Sequence, residues 1–367
     1  MSDHNTATLS LKQLVFVIVQ VEIGISIFSL PNTVHKYANH DSWISLILLG
    51  AAFELLIIIY MMLHKRLPEQ NLFGIADAVA GKFIGKIFNI LYIIYFLGFA
   101  LFTSLSYVHI SKSWLLPFTP WWVLYAIFII TGLYMARSKI NVIARFCGLA
   151  MLIIFILLIT ICFALPRINV KYILPIGTTP IPDILKGAFQ SGLAFTGIVT
   201  TLALLPSVKG DWKGKFKAAS LAILFVTFTY VFTTIICLLF FSDKAISIIP
   251  FPVLFLLKSL TIFKIFERVD ITLVSAWIVP MMTTYTIFMY LASKGITQVF
   301  SVKSRTKILV YLSFLIFVLC LAIPTSESVM NKIAEIAMPI SYIMMFAMPS
   351  LYLLLSFFRK NPNKSGR

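Results

Sequence analysis

Ten runs of roughly 20 mostly apolar residues follow one another along this chain, near 12–34, 42–64, 84–113, 121–137, 141–165, 184–207, 217–242, 265–293, 306–324 and 334–358. Each is about long enough to carry an α-helix across the hydrocarbon core of a bilayer. Within that core every backbone N–H and C=O must find its partner inside the protein. The runs therefore predict an all-α integral membrane protein. Composition agrees: 60% of residues are hydrophobic, only 12% are charged, and the mean hydropathy is +0.98. A soluble protein with buried helices would need far more charge to cover its surface. The fourth and fifth runs are separated only by residues 138–140 and must form a tight antiparallel pair. The third is long enough to require tilt. The N-terminus has no basic start and no small-residue cleavage site ahead of its first apolar run, which is expected to be retained.

Lysine and arginine set the expected orientation. Of the 30 in the chain, 20 fall at the two ends and on alternate connections, among them Lys65, Arg66, Arg137, Lys139, Lys209, Lys213, Lys303 and Arg305. That bias places both termini in the cytoplasm and fits an even number of spans. Ten spans divide into five and five. An odd number per half turns the halves opposite ways, which is an inverted repeat. The expectation is a single polytopic membrane domain over 1–367, with repeats at about 12–165 and 184–358. The connection at 169–183 is proline-rich and ends in Asp183, expected to cap the sixth helix. The connection at 242–264 contains Pro250-Phe-Pro-Val-Leu-Phe-Leu-Leu. It is too short to span and reads as a re-entrant or interfacial helix over the extracellular mouth.

The first span of each half is interrupted. One carries Gln20, Glu22, Gly24, Ser26 and Ser29; the other carries Gln190, Ser191, Gly192, Thr196 and Gly197. Glycine and small hydroxyl residues let a helix unwind, and unwound backbone at membrane depth survives only where protein buries it or it lines a cavity. Such a matched pair points to a transporter-type binding site. Free N–H groups at an unwound segment suit a carboxylate, and free C=O groups suit an ammonium or metal cation. Gly24, Ile25 and Ser26 in helix 1, and Gly192, Ala194, Phe195, Thr196 and Gly197 in helix 6, are the ligand-binding candidates. Small residues also serve close helix packing, and both readings stand for each glycine alone.

An acid at membrane depth marks a function or a partner. Glu22 can hold a proton, face a ligand amine, or reach a cytoplasmic vestibule. Glu54 in the second span faces either the bundle or a partner subunit. Tyr92 and Tyr95 lie three apart on one helical face and could wall a pocket. Thr283, Thr284 and Thr286 in the eighth span could reach the centre. Glu267, Arg268 and Asp270 can pair locally as a structural latch, and Arg145 is expected to snorkel to the cytoplasmic surface.

No phosphate loop, zinc-type spacing or nucleophile–base set is present, so neither an enzyme nor a cofactor is expected. The histidines His4, His35, His40, His64 and His109 lie mainly at ends or in loops. Cys147, Cys162, Cys237 and Cys320 are scattered singly and read as packing residues. The net charge of +17 belongs to the loops of a membrane protein, not to a nucleic-acid binder.

The run Glu22-Ile-Gly-Ile-Ser-Ile-Phe-Ser-Leu-Pro31 resembles the first-helix motif of the B subunits of bacterial spore germinant receptors, within the amino acid–polyamine–organocation transporter superfamily. Phe251-Pro-Val-Leu-Phe-Leu-Leu-Lys-Ser-Leu, Phe266-Glu-Arg-Val-Asp270 and Ile143-Ala-Arg145 are similar to further elements of that family. Ser26 departs from it, standing where a second glycine is expected. The resemblance covers essentially the whole chain. It implies a nutrient sensor of the spore inner membrane that binds a small germinant and works with an A-type membrane subunit and a C-type lipoprotein. An ordinary secondary transporter of amino acids or similar solutes is the alternative.

Overall fold

The computed structural model describes residues 9–24, 26–260 and 268–358. Helices account for nearly all of it, and no strand longer than an isolated bridge between Leu9 and Val208 occurs among the described residues. The elements that matter here begin with α1 (Leu11–Glu22), α2 (Ser26–Ala38), α3 (Ser42–Arg66), α4 (Leu72–Ala80), α5 (Lys82–Trp114), α6 (Trp121–Ala136) and α7 (Ile140–Cys162). The second half holds α8 (Ile181–Gln190), α9 (Val199–Leu204), α10 (Trp212–Phe240), α11 (Asp243–Ile248), α12 (Pro252–Ser259), α13 (Val269–Ala276), α14 (Ile278–Phe300), α15 (Arg305–Ala322), α16 (Glu327–Tyr342) and α17 (Met348–Phe358).

Seven described helices are long and apolar enough to cross a membrane, and the pair Ile181–Gln190 and Gly192–Ser207, bent by 48°, makes eight. The expected ten differ from this for two physical reasons. The first predicted span is interrupted after Glu22, leaving pieces of 12 and 13 residues, each short of the roughly 20 a span needs. The fourth, α6, has only 16 residues. The long segments are apolar outward as well as inward. On α7, Leu149, Leu152, Ile156 and Ile159 form an exposed apolar face, which suits lipid and not water.

Local chemistry sets the helix ends. Ser10 and Gln13 form a reciprocal capping box at α1, and Asp211 caps α10 by accepting the Gly214 N–H at 3.0 Å. Asp183 does not cap α8 as expected. The helix starts earlier, after Pro180, and Asp183 lies in its first turn, where its charge still favours the helix N-terminus. Basic residues from the Lys/Arg-rich connections also bond to helix-end carbonyls. Arg305 donates to the carbonyls of Ala136, Arg137 and Ser138 at the end of α6 (2.9, 2.9 and 3.1 Å). Lys215 donates to Leu205 O at 3.0 Å and Arg66 to Ser356 O at 3.0 Å. Arg305 and Arg66 thereby serve carbonyls at helix ends, and Lys215 adds a second donor to Leu205 O, which also accepts the Val208 N–H at 3.2 Å.

The two interrupted helices pack against each other at the centre. Gly197 makes this possible, because a Cβ there would stand 2.6 Å from Val21 Cγ1 and 2.9 Å from its carbonyl carbon. The described part of the connection at 242–264 forms the short helices α11 and α12, with Val253, Leu254, Leu256 and Leu257 of α12 buried.

Candidate functional site

Chain geometry breaks where the glycines cluster. After Glu22 the backbone leaves the helix at Ile23 (φ −81°, ψ 69°), and a new helix begins at Ser26. In the second half α8 ends at Gln190 and gives way to a 3-10 segment, Gly192–Ile198, distorted at Phe195 (φ −112°, ψ 18°). Unwinding strands carbonyl groups at membrane depth, and side chains from the surrounding helices supply the missing donors. The Tyr230 hydroxyl from α10 lies 2.7 Å from Glu22 O and 3.0 Å from Ala194 O, so one phenol bridges both breaks. The Trp277 indole, buried beside α13, donates to Gly24 O at 3.2 Å. Thr284 in α14 reaches Gln20 O at 2.9 Å, while Thr283 reaches the Gln20 side-chain oxygen at 3.0 Å. Tyr95 in α5 donates to Thr196 O at 2.8 Å, and Tyr342 to Phe189 O at 2.7 Å.

Beside the breaks lies a cavity of about 330 Å³ bordered by Ser26, Ser29, Gln190, Ser191, Ala194 and Phe251. Its volume falls at the lower end of small-molecule sites. Groups of both charge signs also line it, Lys36 together with Glu327 and Glu335.

The sequence candidates are distributed around this centre as follows. Ser26 and Ala194 border the cavity. Gly24 is open on its Cβ side, with Thr284 Oγ1 the nearest atom at 3.8 Å. Gly192 and Gly197 have packing neighbours, Tyr342 and Val21 respectively. Phe195 is fully buried, stacked on Phe53 with centroids 4.7 Å apart. Tyr95 and Thr196 meet at the break, whereas the Tyr92 hydroxyl turns to Met344 O at 2.9 Å, in a π-helical segment between α16 and α17. Ile25 and Glu267 lie outside the described residues.

Glu22 is 2% exposed, and neither carboxylate oxygen has a hydrogen-bond partner of ordinary geometry among the described residues. It faces the Gly197 backbone and interacts electrostatically with the phenols of Tyr60, Tyr95 and Tyr230. Those phenols direct their protons to main-chain carbonyls, Tyr60 to Met345 O at 2.9 Å, and not to the acid. Glu54 faces α10, where Ser220 donates to it at 2.6 Å. Arg268 forms a bidentate pair with fully buried Asp270, both contacts at 3.1 Å. Those hydrogen bonds raise the guanidinium further above its ordinary pKa. Arg145 is exposed on α7. Tyr230, Trp277 and Tyr60 were not among the sequence candidates. The available signal was the cost of a phenol or indole at membrane depth, which requires a nearby acceptor.

The broken helix pair, the surrounding helices and the cavity between them define a multi-pass membrane protein of transporter-type fold. A crystal structure of MhsT in complex with L-phenylalanine superimposes with a TM-score of 0.68, covering 94% of this chain and 95% of that one at 14% identity. The chain belongs to the spore germination protein family, whose model matches residues 8–329. It is 26% identical to spore germination protein YndE of Bacillus subtilis (strain 168) over 98% of this chain and 99% of the relative. With spore germination protein A2 of the same strain it shares 28% identity over 80% and 81%. The family is that of spore germination proteins, and the fold is one that solved transporters also have.

Proposed function

We propose that this chain is the nutrient-sensing B-type subunit of a spore germinant receptor and takes a small germinant, such as an amino acid, between its two breaks. One observation carries the reading: the N-terminal turn of α2, at Ser26 and Ser29, and the C-terminal end of α8, at Gln190 and Ser191, border the same cavity. A helix N-terminus presents free N–H groups and partial positive charge, and a C-terminus presents free C=O groups and partial negative charge. A ligand seated across both ends would meet complementary charge at each, as a zwitterion requires. Gly24, Ser26, Ala194, Thr196 and Thr284 surround this position in the reading. The amino acid held by MhsT, a protein of similar fold, favours a ligand of that size.

In this reading the two repeats, about 12–165 and 184–358, form one membrane domain in the spore inner membrane, with both termini cytoplasmic. An A-type membrane subunit and a C-type lipoprotein complete the receptor. A sensor needs only different ligand affinities in two conformations and need not complete a transport cycle. The transporter-type fold supports a second reading, a secondary transporter of amino acids or similar solutes. Uptake separates the two. Vesicles containing this chain alone should accumulate little labelled amino acid; sustained, saturable accumulation would favour the transporter.

A further inference from the structure

Two histidines without an assigned role meet Asp243, which lies 208 positions beyond His35 in the chain. His35 lies in the last turn of α2, His40 in the 3-10 turn Asn39–Asp41, and Asp243 begins α11. Asn39 adopts a left-handed conformation (φ 45°), which turns His40 back toward α2. His35 Nε2 is 2.9 Å and His40 Nε2 3.7 Å from Asp243 Oδ1, and the three candidate ligand atoms lie within 4.8 Å of one another. The neighbourhood is braced on both sides. Asn32 donates to Ile246 O (2.7 Å) and Ser247 O (3.1 Å), fixing α11 to α2. The Asp41 carboxylate accepts from the Gly177 and Thr179 amides (2.8 and 3.0 Å), fixing the turn that carries His40.

We propose that His35, His40 and Asp243 bind one divalent d-block cation of the zinc class, with water completing a tetrahedron. Bonds of about 2.0–2.1 Å to a tetrahedral centre separate the ligand atoms by roughly 3.3–3.4 Å, and the observed 2.9 and 3.7 Å bracket that value. Two imidazoles and one carboxylate favour such an ion over calcium or magnesium, which take oxygen ligands. One carboxylate oxygen thus serves both rings: it is within hydrogen-bond distance of His35 Nε2 and at ion-pair distance, beyond hydrogen-bond reach, from His40 Nε2. Each ring's Nδ1 is buried with no hydrogen-bond partner among the described residues, while Nε2 is the atom that both rings bring near Asp243. His35 is buried, His40 half-buried and Asp243 exposed, which leaves the cation a path in from the surface. A bound ion would clamp α2, just beyond the first break, to the segment leading into cavity residues Pro250 and Phe251.

Co2+ is a suitable probe for the purified full chain in detergent, prepared without a polyhistidine tag. The native chain should bind one equivalent with the visible bands of tetrahedral Co2+, displaced by Zn2+ but not by Mg2+. His40→Gln and Asp243→Asn remove ligands outside the packed core and should weaken binding by at least about 10-fold, the lower end of the loss for even an outer-shell partner. A thermal melt run alongside verifies that each variant is folded. Absence of the bands in the native chain, or bands that persist unchanged in both folded variants, would overturn the proposal.

Discussion

The Tyr230 hydroxyl lies 2.7 Å from the main-chain oxygen of Glu22, the last residue of α1. The same hydroxyl also lies 3.0 Å from Ala194 O in the 3-10 segment of the other half. A single phenol therefore ties together the two places where helix geometry fails. Any movement that separates the breaks must release at least one of these carbonyls.

Tyr230→Phe keeps the ring, which packs against Phe195 with centroids 5.3 Å apart, and removes only the hydroxyl. Two buried carbonyls then lose their shared donor, although Glu22 O keeps the Gly24 N–H at 2.8 Å. The expected loss is about 0.5–1.5 kcal/mol, the net contribution of a typical hydrogen bond. A lower midpoint in thermal denaturation of the detergent-solubilised protein checks this.

The glycines should separate by role. Gly197→Ala forces a methyl group against the Val21 backbone, which cannot yield as a flexible side chain would, and should destabilise by about 1–3 kcal/mol. Gly24→Ala meets only Thr284 Oγ1 at 3.8 Å and should stay within about 0.5 kcal/mol of the native protein. Parallel thermal melts test the contrast, and equal effects would remove it.

Sidedness follows from the basic loops. Reporters fused after Arg367 and within Lys209–Lys217 should report the same face, and one placed at 169–183 the opposite face. Disagreement between the first two would contradict the orientation.

Long apolar runs made the membrane fold legible, and the clustering of Gly24, Gly192 and Gly197 marked both breaks. The donors that close those breaks were not legible. Tyr230 and Trp277 are single polar groups within apolar runs, and their acceptors lie 208 and 253 positions away in the chain. Helical periodicity carries no information over such separations. Tyr92 and Tyr95 illustrate the same limit. Their spacing puts them on one face, yet the first reaches Met344 O and the second Thr196 O, because the π-helical segment and the 3-10 segment both lie against α5. His35, His40 and Asp243 were likewise separate end and loop residues until α2 and α11 packed together.

If ligand occupies the cavity between the breaks, Ala194 is placed to meet it: it borders the cavity, is 3% exposed, and sits beside the fully buried Phe195 and Ile198. The most direct measurement is the germinant concentration for half-maximal response in endospores whose only receptor carries Ala194→Leu. The account predicts a shift to higher concentration of at least about 10-fold, equivalent to about 1.4 kcal/mol, with the receptor still present in the membrane. A dose–response curve indistinguishable from that of the native receptor would contradict it.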